Sequence, residues 1–73
     1  AILVDMRSES AKLAKNLKRI RTQKGMTQGD IVRALGVSRS FVSNMENGKT
    51  NPTLATITKL AKALGVSAEE LIR

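Results

Sequence analysis

Residues 34–52 read "ALGVSRSFVSNMENGKTNP", and this stretch decides how the chain folds. An apolar run stops at Gly36, Ser38 opens a new helix as its N-cap, and Val42 and Met45 turn inward from it. The same helix then leaves a polar stripe outward, made of Arg39, Ser40, Ser43, Asn44 and Asn47. Gly48 stops it, and "GKTNP" is a loop because Pro52 disfavours helix at Asn51.

Working outward, helical punctuation recurs and alternating strand patterns do not. Leu13, Leu17 and Ile20 form one stripe at i, i+4 and i+7, with Lys12, Lys15, Lys18 and Arg19 around it. Glu9 suits the first turn of that helix, and Gly25 ends it. Thr27 and Asp30 spell a capping box that opens a second helix carrying Ile31, Val32 and Leu35. Beyond the loop, Thr53 caps a fourth helix on which Leu54, Ile57, Leu60, Ala61 and Leu64 are expected to face inward, with Gly65 at its end. Ser67 and Glu70 spell another capping box over a short helix bearing Leu71 and Ile72. The pattern predicts an all-α, five-helix bundle: an N-terminal extension over residues 1–10, then one domain over 11–73.

Composition narrows what such a domain can do. With 73 residues and no cysteine, neither disulfides nor a thiolate metal site can supplement a small core. The absence of histidine removes the commonest general base and zinc ligand as well. Asp5, Glu9, Asp30, Glu46, Glu69 and Glu70 sit mostly at caps and helix starts, and no nucleophile has a base beside it. We therefore expect no enzyme, no metal, no cofactor and no small-molecule ligand. Thirteen Lys and Arg against six acids give a net charge of +7. That balance favours a polyanionic partner over simple solubility. The longest apolar run, "AILV", is too short to span a bilayer, so a soluble, cytoplasmic protein without a membrane partner is expected.

The connection "LGVS" between helices two and three is too short for an antiparallel hairpin and forces a sharp crossing, the helix-turn-helix arrangement, here over residues 28–47. Gly36 suits the left-handed turn, and Val37 packs into the angle. In this arrangement the second helix enters the major groove with its N-terminal half while the first lies across the backbone. Arg39 breaks a local rule, because a cation in a first turn opposes the helix dipole; a partner explains it better, and a guanidinium can address guanine O6 and N7. Asn44 can pair with adenine through its amide. Gln28 heads a helix whose free N–H groups attract phosphate. Phe41, spaced i, i+4 with Met45, is read as packing at the core edge.

The segments "LKRIRTQKGMTQ", "IVRALGVSRSFVSNMENGKTNP" and "TITKLAKALGVSAEELI" together resemble the Cro and phage-repressor-like helix-turn-helix regulators, which have the lambda-repressor-like fold. The resemblance covers roughly Leu17 to Ile72. It implies a transcriptional regulator, a repressor or controller protein, acting as a homodimer on a palindromic double-stranded DNA operator. It makes Arg39, Ser40, Ser43 and Asn44 base readers, and Gln28, Asn47, Lys49 and Thr50 phosphate contacts. It also pairs Arg21 with Glu46 as a structural salt bridge. Two positions depart from the pattern: Val32 replaces a common alanine, and Gly29 replaces a common glutamate. The expected dimer surface is the C-terminal end, with Leu64, Val66, Leu71 and Ile72. The competing reading is a protein-interaction module of the antitoxin or coactivator type with secondary DNA binding. RNA binding is the weaker option, because aromatic residues for base stacking are lacking.

Overall fold

The structure, a computed structural model, describes the backbone of residues 6–73 and the side chains from Ser10 onward. Five helices follow one another: α1 (Met6–Gln23), α2 (Gln28–Leu35), α3 (Arg39–Glu46), α4 (Leu54–Leu64) and α5 (Ala68–Ile72). Among the described residues there is no strand. The first helix begins at Met6, so the segment expected as an extension over residues 1–10 is helical in its second half. Ser10 is already buried there. Residues 1–5 and the Glu9 side chain lie outside the described residues.

The start signals work as their chemistry dictates. Thr27 forms the full reciprocal box with Asp30: the hydroxyl accepts from the Asp30 N–H at 3.1 Å, and the carboxylate accepts from the Thr27 N–H at 2.8 Å. Ser38 accepts from the Phe41 N–H at 3.1 Å and Thr53 from the Thr56 N–H at 3.2 Å. Ser67 accepts from the Glu70 N–H at 3.3 Å, but the Glu70 carboxylate does not return the bond, so this is a simple cap and not a box. Each cap satisfies one of the N–H groups a helix start leaves unpaired. Gly36 closes α2 at φ 69°, donating its N–H to the Val32 carbonyl at 2.9 Å. A side chain there would be forced into the left-handed region, which only glycine occupies without penalty.

α1 packs on α3 and α5, α2 on α3 and α4, and α4 on α5. Leu13, Leu17, Ile20, Ile31, Val42, Met45, Leu60, Leu64 and Leu71 form one continuous core, with Val32, Leu35, Val37 and Phe41 packed against its edge. Phe41 therefore packs at that edge, and so does Val32. Leu54 departs from expectation, being 71% exposed. It occupies the first position of α4, one turn ahead of Ile57, where the inward stripe runs out past the neighbouring helices. Leu64 and Leu71, expected on a dimer surface, are buried within the protomer at 2% and 0% exposure. A core this small needs those two leucines to close it.

One anchor was not visible in the sequence pattern. Asn16, on α1, donates through Nδ2 to the carbonyls of Leu71 at 2.9 Å and Arg73 at 3.3 Å. These carbonyls have no partner within the short α5, so α1 supplies one. Asn16→Ala should lower stability by about 0.5–1.5 kcal/mol, read as an earlier midpoint in urea unfolding with an unchanged slope.

Candidate nucleic-acid interface

The polar stripe of α3 is outward. Arg39, Ser40, Asn44 and Asn47 are exposed and Ser43 is half-exposed. At about 100° per residue the five fall within an arc of about 140°. The remaining side of the helix carries Val42 and Met45 into the core. Among the described residues, the side chains of Arg39, Ser40 and Asn44 make no hydrogen bond within the protein; Asn47 Nδ2 donates weakly to Ser43 Oγ at 3.4 Å. Three side chains with open hydrogen-bonding capacity thus share one face.

The loop follows α3 directly. Lys49 is exposed and Thr50 half-exposed, and the Lys49 N–H is tied to the Asn44 carbonyl at 2.9 Å. Gly48, at φ 69°, makes the turn, and a Cβ on it would stand 3.7 Å from the Ala11 Cα and the Ser10 carbonyl. The start of α1 therefore backs the loop directly and sets where Lys49 emerges.

Behind the face lies a charged network. Glu46, the last residue of α3, is buried, with its side chain only 4% exposed. Arg21 Nε on α1 donates to Glu46 Oε2, and Arg21 Nη2 donates to Oε1 at 3.1 Å. Gln28 Nε2, at the start of α2, donates to the same Oε1 at 2.9 Å. Arg21 Nη1 also reaches the Met26 carbonyl at 2.8 Å, which fastens the α1–α2 turn. Burial pushes the Glu46 carboxyl up, but the bonds from Arg21 and Gln28 and the Arg21 charge outweigh it, so the group titrates below its ordinary value. Asp30, half-exposed at its cap, is also lowered, chiefly by the hydrogen bond from the Thr27 backbone.

The structure thus brings Arg39, Ser40, Ser43, Asn44 and Asn47 to one side of α3, leaves Lys49 exposed in the loop after it, and pairs Arg21 with Glu46 behind the helix. It gives Gln28 a partner that sequence reasoning missed: one amide hydrogen is engaged by Glu46, leaving the other and the backbone N–H for an outside acceptor. A Gln at a helix start gives no signal of a residue eighteen positions away. The expected dimer residues do not assemble. With Leu64 and Leu71 buried, Ile72 at 49% and a half-buried Val66 remain, and the exposed apolar residue not anticipated is Leu54.

Comparisons with known proteins show the family and the fold. A helix-turn-helix family profile matches residues 17–71. An uncharacterized HTH-type transcriptional regulator, y4dJ, of Sinorhizobium fredii is 44% identical over 57 residues, covering 78% of this chain and 74% of that protein. The crystal structure of the hypothetical transcription factor NHTF from Neisseria superposes with a TM-score of 0.85 at 38% identity, covering 100% of this chain and 84% of that one. The restriction-modification controller protein C.Esp1396I, solved as a tetramer with its natural 35 base-pair operator, superposes at 0.73 with 28% identity over 88% of this chain and 95% of its own.

Removing one member of a buried ion pair strands the other. Arg21→Ala should cost about 3–5 kcal/mol by that rule, measured by thermal or denaturant unfolding. The pH dependence has a definite sign. A carboxyl whose folded pKa is depressed contributes stability that is present above its unfolded value, near 4.5, and is lost as pH falls through the folded value. The unfolding temperature should therefore drop on acidification below that point, and Glu46→Gln should flatten this part of the profile.

Proposed function

Because the chain belongs to the helix-turn-helix family of DNA-binding transcriptional regulators, we propose that it is a sequence-specific regulator that reads a palindromic operator through the major groove as a homodimer. The observation that carries this reading is the open polar arc of α3. Arg39, Ser40 and Asn44 are presented without intramolecular side-chain partners, on a helix held from behind by the Arg21–Glu46–Gln28 network.

The roles divide by chemistry. Arg39 addresses guanine through its fork, Asn44 adenine through its amide, and Ser40 and Ser43 meet whichever edge lies beside them. Lys49, Thr50, Asn47 and the N–H groups opening α2 at Gln28 take phosphate oxygens, which fix register and supply affinity without sequence information. The net charge of +7 supports the same partner. In the controller-type reading, two copies place their α3 helices one turn apart, about 34 Å, in successive grooves.

The surface we assign to self-association differs from the C-terminal leucines. Ile72 and Ile57 line one groove with Leu13, Lys12 and Asn51, and Leu54 lies one helical turn ahead of Ile57. The exposed apolar side chains Leu54 and Ile72 supply area that a second copy covers. Ile72→Asp should shift sedimentation at micromolar concentration toward the monomer. A native protein that stays monomeric both free and on duplex DNA would rule the dimer out.

Fluorescence anisotropy on a selected operator separates the two kinds of contact. Arg39→Ala should cost about 1–3 kcal/mol of binding and relax preference at one base position. Lys49→Ala should weaken binding to all duplexes alike and lower the slope of log affinity against log salt by roughly one. Operator preference that survives Arg39→Ala intact contradicts the base-reading assignment. A second protein chain co-purifying with a domain that binds DNA weakly and without salt dependence points instead to an interaction module.

A further inference from the structure

Gly29 is the second residue of α2, and its backbone is ordinary helix, outside the positive-φ positions. Nothing in the local conformation asks for glycine, and alanine would favour the helix. Yet Gly29 is buried, because side chains from elsewhere lie over it. A Cβ built there would stand 3.2 Å from Arg39 Nη2 and 3.5 Å from Arg33 Nη1. Two guanidinium groups from different helices therefore converge on the gap the glycine leaves.

Their circumstances differ. Arg33 is paired with Asp30 on its own helix. Among the described residues no carboxylate pairs with Arg39, the single cation of α3. The Arg39 guanidinium rests near the Arg33–Asp30 pair and the Thr27 hydroxyl, over the start of α2, with no ion pair to hold it there. The missing side chain gives it room.

We propose that Gly29 is a specificity-determining position that acts through Arg39. In the DNA-free protein the gap lets the guanidinium fold back over α2, and the duplex draws it out to phosphate and base acceptors. A side chain active in only one of two arrangements binds with an affinity reduced by the fraction of the active one. Gly29 thereby tunes how strongly the Arg39 contact counts, without touching a base itself. The proposal rests on the reading of Arg39 as a DNA contact.

A double-mutant cycle tests it, using Gly29→Leu, Arg39→Ala and the double variant on one selected operator duplex. Leucine fills the gap without adding charge or a hydrogen bond. Its general effects on helix stability and on phosphate approach are the same in both backgrounds and cancel in the cycle. The expected result is tighter binding by about threefold to tenfold when Arg39 is present, from loss of the folded-back arrangement, and no gain over Arg39→Ala when it is absent. An equal factor in both backgrounds overturns the proposal. Arg39→Ala alone is a separate arm: if it leaves affinity and base preference unchanged, the underlying reading of Arg39 fails first. In the native, DNA-free protein, nuclear Overhauser contacts should join the Arg39 δ protons to the Gly29 α protons and vanish when operator duplex is added. Their absence before DNA is added also overturns the proposal, whatever the variants do.

Discussion

A single buried carboxylate organises this fold. Glu46 ends α3 inside the protein, and its two oxygens take hydrogen bonds from Arg21 on α1 and Gln28 on α2. Three helices that share only short connections are thereby locked at one point. Such a network is a weak source of net stability, because desolvating the charges cancels much of their attraction. Its value lies in geometry. A carboxylate held by three donors has one satisfied position, and any rotation of α3 about its axis would strand it.

The other end of α3 is fixed by different means. Gly36 turns the chain in the left-handed region, and Ser38 caps the first turn. Clamped at both ends, the helix has no freedom to choose which side faces out. Val42 and Met45 fill the core, and the polar arc from Arg39 to Asn47 is left to solvent. The same economy appears in the loop beyond it, where α1 backs Gly48 and so sets the exit of Lys49. Preorganisation of this kind reduces the ordering cost of binding. Arg39 is the exception within the arc, since its guanidinium has a resting place over Gly29.

Much of this architecture was legible in the residues. Caps and turns are local chemistry, and Thr27, Ser38, Thr53, Ser67 and Gly36 act within four residues of themselves. The inward stripes of α1 and α3 likewise follow from helical period. What escaped was long-range or terminal. Asn16 reaches the Leu71 carbonyl 55 residues away, and Gln28 reaches Glu46 across 18; a polar residue on a helix surface gives no hint of which distant group will come to it. Leu54 fits the apolar period and still faces solvent, because periodicity identifies a face but not where the opposing helices stop. Leu64 and Leu71 depart the other way: apolar residues on the last two helices read as a surface to share, when so small a core needs them for itself. The Arg21–Glu46 pair emerged from family resemblance, and its third member only from the structure.

The central claim is that the arc of α3 reads base edges in two successive major grooves of one duplex. Selection of bound sites from a random pool of double-stranded DNA tests it most directly. The account predicts an inverted repeat whose half-sites are centred about one helical turn apart, about 10 bp, with conserved bases confined to the half-sites and their flanks. Recovery of no shared sequence, or of a single unrepeated site bound by one copy, would contradict it.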